Sequence, residues 1–393
     1  MRIGVYGGAF NPPHIGHVNA AKAAMNQLKL DKLIVIPSGV SPHKPMPECT
    51  PPGDMRLYMT QTAFSKVDNA VVSNVEITKP GASYTINTLT EIRGQYPGAE
   101  IFLLAGTDMY LTFESWHRFE DIFKIATPAV FARNADNHEK IAEYSISIQK
   151  RYGVHTETVE NTVIPISSSM LRTMLPRREG IEYLDDTNYS YIIKNRLYNA
   201  KSDWNWLRTQ AHAMLKPSRI PHVIGCEEEA VRLARHWGLD EDDAREAAIL
   251  HDITKHMSAE ENFAILKKYG LPAVYIKKTE EKLLHAVTGA AIARGEFGSS
   301  DAVADAIRWH TTGRANMSEL EKIIYIADYI EPMRDFDEVD VMRTLAYKNI
   351  NAAMKMGLEI SVEDMKQRGI IIDGTTYDAL NYFVSLKNRR EKI

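Results

Sequence analysis

The chain has 393 residues, a length that predicts two or three domains. Its residues are 44% hydrophobic and 25% charged, as in ordinary globular proteins, and a formal net charge of −4 argues against a nucleic-acid partner. Cys49 and Cys226 are far apart in sequence, which disfavours a disulfide framework and predicts a cytoplasmic location. Because no apolar run has the length of a membrane span and no signal-peptide pattern occurs, we expect no membrane partner.

Strand-like and helix-like segments alternate over the first half of the chain. The predicted strands are 2–6, 32–36, 70–72 with 75–77, 100–105, 128–133 and 162–164. The predicted helices are 18–25, 84–95, one that ends at 150, and 189–197. Alternation of this kind predicts a doubly wound, Rossmann-like α/β domain with a parallel sheet and right-handed crossovers. Ligands of such sheets bind outside the carboxyl ends of the strands.

The stretch 7–17, GGAFNPPHIGH, joins the first strand to the first helix. Gly7 and Gly8 have no Cβ, so the backbone can approach a ligand closely. The helix N-terminus behind them offers unpaired N–H groups and the positive end of a dipole. His14 and His17 are three residues apart, which places them on one face of the first turn. The stretch predicts a phosphate-binding loop, and the alternative is a proline-rich loop with two surface histidines.

Polar and aromatic residues also follow the other predicted strands. Lys44, after the second strand, can pair with phosphates, although a solvated lysine is an equal alternative. Asp108 lies just past the strand 100–105 and can accept hydrogen bonds from ribose, while Trp116 can stack on a ring or pack in the core. Segment 166–172, ISSSMLR, predicts a second anion site at a helix start; taken alone, its serines would be an N-cap.

Together these motifs resemble those of bacterial nicotinate mononucleotide adenylyltransferases, over residues 1 to about 200. The resemblance implies that ATP is bound by Gly7, Gly8, Phe10, His14, His17, Ser167, Ser168 and Arg172. It implies that nicotinate mononucleotide is bound by Tyr84, Thr85, Asp108 and Trp116. It also implies a catalytic group made of His14, His17, Lys44 and Arg172, with Mg²⁺ accompanying ATP. Two departures are Asn11, where many members have Asp, and Asn134-Ala135, where Pro-Gly is common.

The implied reaction needs no covalent protein nucleophile. The phosphate of the mononucleotide attacks the α-phosphorus of ATP and pyrophosphate leaves, so the protein aligns two anions and neutralises charge. A different acceptor, such as phosphopantetheine, is the alternative, and the context of Tyr84, Thr85 and Trp116 argues against it. A P-loop signature is missing from the sequence, which counts against a P-loop nucleoside triphosphatase.

Helical patterns replace strand patterns near residue 200, so we predict domains at 1–200 and 201–393. In the second domain, histidines and aspartates lie among apolar neighbours, and burying them is costly unless they share a partner. A metal is the simplest shared partner, although any one of these histidines alone would more often be a satisfied core residue. The candidate metal ligands are His222, His251, Asp252, His285, His310 and Asp328.

This H…HD…D pattern resembles the HD-domain phosphohydrolases, and the fuller text over about 205–385 resembles their YqeK-type branch. The resemblance implies an all-α domain, one or two metal ions, iron as the favoured metal, and symmetrical cleavage of diadenosine tetraphosphate to two ADP. A ligand set of imidazoles and carboxylates without thiolate also suits Mn, Co or Zn. Lys255 lies one turn beyond His251-Asp252 and is a candidate catalytic group that meets a phosphate, or else a solvated lysine.

The sequence therefore predicts two enzymes in one chain, with ATP, nicotinate mononucleotide and diadenosine tetraphosphate as partners. One alternative makes the helical half a nucleotide sensor without turnover. Another makes it a phosphodiesterase or a nucleotidase of the same HD class. A homo-oligomer is compatible with the sequence.

Overall fold

The structure, a computed structural model, describes residues 1–40, 46–132, 137–271 and 283–390. It divides into two compact units, Met1–Lys201 and Ser202–Ile393. Lys44 and the departure at Asn134-Ala135 lie outside the described residues, so nothing is said of their structure. Within the described ranges, no helix combines the length and the apolar character needed to cross a membrane.

The first unit is built on one parallel sheet of six strands. These are β1 (Arg2–Gly8), β2 (Lys32–Pro37), β3 (Ala70–Val72), β4 (Glu100–Gly106), β5 (Thr127–Phe131) and β6 (Glu157–Val159). The helices are α1 (Ile15–Gln27), α2 (Gly53–Phe64), α3 (Thr85–Gln95), α4 (Thr107–Tyr110), α5 (Phe119–Ile125), α6 (Asn137–Tyr152), α7 (Ser168–Met174) and α8 (Asp186–Lys194). Single 3₁₀ turns lie at Phe113–Ser115, Leu175–Arg177, Ile181–Tyr183 and Leu197–Asn199.

The strand order is β3-β2-β1-β4-β5-β6, and each neighbouring pair is parallel. The predicted doubly wound α/β class is therefore confirmed. β1 pairs with β2 on one side and with β4 on the other, so the order reverses direction between β1 and β4. Such a reversal opens a crevice at the carboxyl ends of the two strands, where ligands of this fold bind.

Two predicted strands are wrong. Residues 75–77 form a turn closed by Ile77 N–H donating to Asn74 O, so the third strand ends at Val72. Residues 162–164 are not a strand, because side chains of α1 bind the chain here in place of a neighbouring strand. Gln27 Oε1 accepts from Glu160 N–H at 2.9 Å, and Asn19 Nδ2 donates to Thr162 O at 2.6 Å. The last strand is β6 instead.

The second unit is helical throughout its described residues, as predicted. Its helices are α9 (Trp204–Ala213), α10 (Ile220–Trp237), α11 (Glu241–Leu250), α12 (Ala259–Lys268), α13 (Leu284–Glu296), α14 (Asp301–Trp309), α15 (Glu319–Ile330), α16 (Val339–Lys348), α17 (Ile350–Gln367) and α18 (Gly374–Arg390). A 3₁₀ turn at Pro217–Arg219 precedes α10. Helix α15 is the central one: Ile323, Tyr325 and Ile326 have no exposed surface, and it packs against α10, α11, α14, α16 and α17.

Ser318 and Glu321 have the sequence spacing of a capping box at the start of α15, but only half of it forms. Ser318 caps the helix by accepting a hydrogen bond from Glu321 N–H at 3.2 Å. The Glu321 carboxylate does not return this bond, because it pairs with Arg314, whose Nε donates to it at 2.9 Å. A buried carboxylate gains more from a guanidinium than from one backbone N–H.

Candidate active sites

The paired histidines stand at the start of α1, as their spacing predicts. His14 is the N-cap residue, and its backbone N–H donates to Nδ1 of His17 at 3.2 Å. The ring centroids are 3.7 Å apart. Because Nδ1 of His17 accepts this bond, a neutral His17 carries its proton on Nε2, the nitrogen that can donate to an anion.

The second anion segment reaches the same loop from the far end of the unit. Ser168 Oγ donates to Pro12 O at 2.8 Å, and Arg172 Nη1 donates to Asn11 O at 2.6 Å. The other nitrogen of the guanidinium, Nη2, donates to Ser169 Oγ at 3.0 Å. These bonds tie the start of α7 to the loop before α1, so two helix N-termini lie beside one cavity.

Asn11, the first of the two departures noted in the sequence, has a clear place in the structure. Its side chain is buried, with Nδ2 donating to Thr50 Oγ1 at 2.8 Å and Oδ1 accepting from the Tyr198 hydroxyl at 2.8 Å. An amide provides both a donor and an acceptor, whereas an ionised carboxylate provides only acceptors. The amide is therefore the matching group between these two hydroxyls.

A cavity of about 410 Å³ lies at the carboxyl ends of β1 and β4. It is lined by most of the residues predicted for the first site, namely Gly7, Gly8, Phe10, His14, His17, Thr85, Asp108, Trp116, Ser167, Ser168 and Arg172. Tyr84 is not among its lining residues: it precedes α3 and its ring packs at a tilt of 44° against His117, with ring centroids 4.5 Å apart. The cavity brings the two groups of predicted residues, for ATP and for the mononucleotide, into one space.

The aromatic residues differ in what they present to this cavity. Trp116 packs flat on Phe113, with centroids 4.7 Å apart and planes 14° apart, so one ring face is supported from behind. Phe10 is only 1% exposed and packs edge-on against Tyr6 and Phe64. Its side chain therefore supports the loop and offers a ligand little surface.

Glu76 also lines the cavity, and sequence analysis missed it. Its carboxyl Oε1 accepts from the Thr88 hydroxyl at 2.7 Å, and burial raises the pKa of Glu76. Glu76 lies in residues 75–77, which the sequence pattern predicted to be part of a strand, so no local pattern indicated that it lines a pocket.

In the second unit, one buried carboxylate is the centre of the predicted metal cluster. Asp252 has no exposed surface. Its Oδ1 lies 3.3 Å from His285 Nε2 and 3.5 Å from His310 Nε2, and its Oδ2 lies 3.4 Å from His251 Nε2. His222 Nε2 lies 3.9 Å from the same Oδ2.

Asp328 completes the set, with its Oδ1 3.1 Å from His222 Nε2. The structure thus brings all six predicted ligands together, and all six are buried.

Three imidazoles are turned so that Nε2 points at the cluster. Nδ1 of His251 and Nδ1 of His310 each donate to a backbone carbonyl of the preceding turn, at 2.7 and 2.6 Å. Nδ1 of His222 lies 3.0 Å from Glu331 Oε1, a carboxylate that is 1% exposed and that sequence analysis did not assign. With the proton held on Nδ1, the Nε2 lone pair is available to a metal.

The donor atoms fit a cation. Nitrogen lone pairs and carboxylate oxygens that face each other repel unless a positive charge lies between them. Within the described ranges, His251 Nε2 and Asp252 Oδ1 are buried and have no hydrogen-bond partner. Burial lowers the pKa of His310 to about 4, so this ring is neutral at pH 7, as a metal ligand must be. A buried cluster of this composition indicates metal binding.

Cys226 adds a sulfur atom to the cluster, whereas the sequence predicted a ligand set of imidazoles and carboxylates without thiolate. Cys226 Sγ lies 3.3 Å from His222 Nε2. Ligand atoms of His222, Cys226, His251 and Asp328 all lie within 4.8 Å of one another, as do those of His251, Asp252 and His310. The spacing of four residues between His222 and Cys226 on one predicted helix was the sequence feature that could have indicated this sulfur.

Cations surround the acidic side of the cluster. Arg219 Nε donates to Asp252 Oδ2 at 2.6 Å, and Arg334 pairs with Asp328. Lys255 Nζ lies 3.3 Å from Asp252 Oδ1, and its side chain is 32% exposed. Lys255 is thus in contact with the cluster while reaching solvent. Arg219 and Arg334 were not singled out from the sequence, because isolated arginines carry no motif.

Comparison with known proteins defines the class of each unit. The family model described as cytidylyltransferase-like matches residues 5–174, and the HD domain model matches residues 219–333. The fold is therefore that of a nucleotidyltransferase followed by an HD domain.

A probable nicotinate-nucleotide adenylyltransferase of Carboxydothermus hydrogenoformans is 32% identical over 198 residues, which are 50% of this chain and 98% of that protein. The chain belongs to the nicotinate-nucleotide adenylyltransferase family.

Other relatives include the second unit. A probable nicotinate-nucleotide adenylyltransferase/Ap4A hydrolase of Mycoplasma genitalium is 28% identical over 370 residues, which are 91% of this chain and 97% of that protein. A crystal structure of a predicted HD superfamily hydrolase involved in NAD metabolism, from Clostridium acetobutylicum, is 34% identical. The match covers 47% of this chain and 99% of the chain in that crystal structure, with a TM-score of 0.45.

Replacing Arg172 by lysine tests the bridge between the two anion-binding segments. A lysine has one nitrogen in place of the two that bond Asn11 O and Ser169 Oγ, and it lacks the fixed planar fork of arginine. We therefore expect pyrophosphate release in the reaction of ATP with nicotinate mononucleotide to slow by about 10²-fold. Arg177→Lys, at an exposed arginine, is the matched control and should be neutral. Equal rates in the two variants would contradict the assignment.

Replacing Glu331 by glutamine tests the orientation of His222. A neutral amide polarises the imidazole less than a carboxylate does, so we expect the affinity for Co²⁺ or Mn²⁺ to fall about 10- to 100-fold. Isothermal titration calorimetry of the metal-free protein measures this. Glu363→Gln, at an exposed residue of α17, should bind as the unaltered protein does. If both variants keep full affinity, Glu331 has no part in orienting the ligand.

Proposed function

We propose that the first unit transfers AMP from ATP to nicotinate mononucleotide, releasing pyrophosphate. The observation that carries this proposal is the shared cavity, in which His14, His17 and the 167–172 segment meet Asp108 and Trp116. The family to which the chain belongs has the same activity in its name.

The ATP phosphates are proposed to lie between the N-termini of α1 and α7. Two helix dipoles, the histidine Nε2–H groups and the Arg172 guanidinium are positive, and they neutralise the charge that develops as pyrophosphate leaves. Mg²⁺ accompanies the ATP phosphates. Lys44, which is outside the described residues, keeps its role as a prediction from the sequence.

The mononucleotide is proposed to occupy the other end of the cavity. Trp116 and Asp108 both line the cavity, where the Trp116 ring would stack on the pyridine and the Asp108 carboxylate would accept hydrogen bonds from ribose hydroxyls. Thr85, at the start of α3, offers a hydroxyl and a backbone N–H near the helix dipole, which suits the carboxylate of nicotinate. Tyr84 packs at a tilt against His117 and does not line the cavity, so its proposed part is to support the wall from behind rather than to contact substrate.

The second unit is proposed to hydrolyse diadenosine tetraphosphate symmetrically to two ADP, as the name of the Mycoplasma relative suggests. His222, His251, Asp252, His285, His310 and Asp328 would hold one or two ions, with iron favoured and Mn, Co or Zn allowed. Such ions supply a hydroxide and polarise a phosphoryl oxygen. The complete ligand set argues against a sensor without turnover.

The cations of this site are proposed to bind the polyphosphate chain. Arg219 and Lys255 pair with Asp252 in the structure, and a metal ion would compete for that carboxylate. Each side chain, once released, would offer its charge to substrate phosphates.

We infer a cytoplasmic location from the two free thiols, Cys49 and Cys226.

Two reciprocal substitutions test the assignment of one activity to each unit. His17→Ala should abolish dinucleotide formation and leave tetraphosphate cleavage intact, because it removes a donor from the first cavity alone. Asp252→Ala should do the reverse, because it removes the central carboxylate of the metal cluster. Both products are measured by chromatography, with ATP and each mononucleotide in one assay and diadenosine tetraphosphate with Fe²⁺ or Mn²⁺ in the other. If one substitution in a folded protein removed both activities, the two-site proposal would fail.

A further inference from the structure

Cys226 is the one member of the buried cluster for which the proposed function has no use. It lies on α10, four residues after His222, so that the two side chains leave the same face of the helix. Both are buried, at 1% and 6% exposed. A buried cysteine more often serves as a small apolar side chain, so its surroundings decide between packing and ligation.

Those surroundings are polar. The sulfur lies 3.3 Å from Nε2 of His222, the nitrogen that faces the cluster. A tetrahedral ion with bonds of about 2.0 Å to nitrogen and about 2.3 Å to sulfur holds its donor atoms roughly 3.3 to 3.8 Å apart. The observed separation of 3.3 Å lies at the lower end of that range, so a small movement of the two side chains would admit an ion between them.

Other donor atoms complete such a site. His222, Cys226, His251 and Asp328 each offer one atom within 4.8 Å of all the others. Nε2 of His251 is buried and makes no hydrogen bond in the described part of the chain. These four side chains come from three separate segments, α10, the end of α11 and α15, so their convergence is a property of the folded unit.

We propose that Cys226 is a thiolate ligand of the metal ion that His222, His251 and Asp328 hold. The inference rests on the metal centre of the proposed function and adds a sulfur to it. On binding, the S–H bond is replaced by a sulfur–metal bond and the proton passes to solvent.

A sulfur ligand changes which ions the site prefers. Thiolate is a soft donor that favours Zn and Fe over the harder Mn and Mg. The group His251, Asp252 and His310 contains only nitrogen and oxygen. A centre with one sulfur-containing position would therefore bind zinc or iron more tightly than manganese.

Cobalt absorption tests the ligand directly. Full-length protein loaded with Co²⁺ should show a thiolate-to-cobalt charge-transfer band in the near ultraviolet. Cys226→Val should lose this band and bind Co²⁺ about tenfold more weakly, while Cys49→Ser should keep both. Cys49 is the only other cysteine of the sequence and lies in the first unit, so it is the matched control. A band of equal strength in Cys226→Val would overturn the proposal.

X-ray absorption at the zinc edge provides a second measurement that needs no variant. The unaltered protein loaded with Zn²⁺ should show a sulfur scatterer at about 2.3 Å, and a shell of only nitrogen and oxygen would exclude the thiolate. Cleavage of diadenosine tetraphosphate is assayed separately on the same protein preparation loaded with Fe²⁺ or Mn²⁺. Cleavage without a sulfur signal contradicts this proposal alone, whereas a sulfur signal without cleavage contradicts the proposed substrate and supports the ligand.

Discussion

The burial of Asp252 is the constraint on which the second unit depends. An ionised carboxylate removed from water costs several kcal/mol unless charged or hydrogen-bonding groups surround it. Four histidine Nε2 atoms, an arginine and a lysine lie near it, and they come from several helices and the turn before α10. The positions of those helices are therefore linked through one side chain. The core of α15 packs beside them, so the apolar interior and the polar cluster stabilise the same helix arrangement.

The first unit meets the opposite requirement, since it must attract negative charge. Its loop before α1 is held from outside by Ser168, Arg172 and Tyr198, each of which bonds to Asn11 or Pro12. These contacts immobilise the loop before any ligand arrives, so ordering it costs little when phosphates bind. The resulting surface combines two helix N-termini with imidazole and guanidinium groups.

The two sites thus differ in the source of the positive charge that attracts phosphate. In the first, the positive charge belongs to the protein itself and is aimed by the backbone. In the second, carboxylates such as Asp252 and Asp328 are negative, so an ion must reverse the local sign before an anion can approach. Arg219, Arg334 and Lys255 pair with these carboxylates in the structure, which shows how strongly the cluster attracts cations.

Local patterns in the sequence determined the classes of both units. Alternating strands and helices predicted the parallel sheet, and the spacing of His14 and His17 predicted a shared helix face, because both depend only on neighbouring residues. The sequence also predicted six candidate ligands, which the structure brings together in one buried cluster. The tertiary structure alone decided that residues 162–164 are not a strand, that Arg172 bonds the carbonyl of Asn11, and that Cys226 and Glu331 adjoin His222. The physical reason is that each of these depends on which distant segment packs alongside, whereas periodicity records only which side of its own helix or strand a residue occupies.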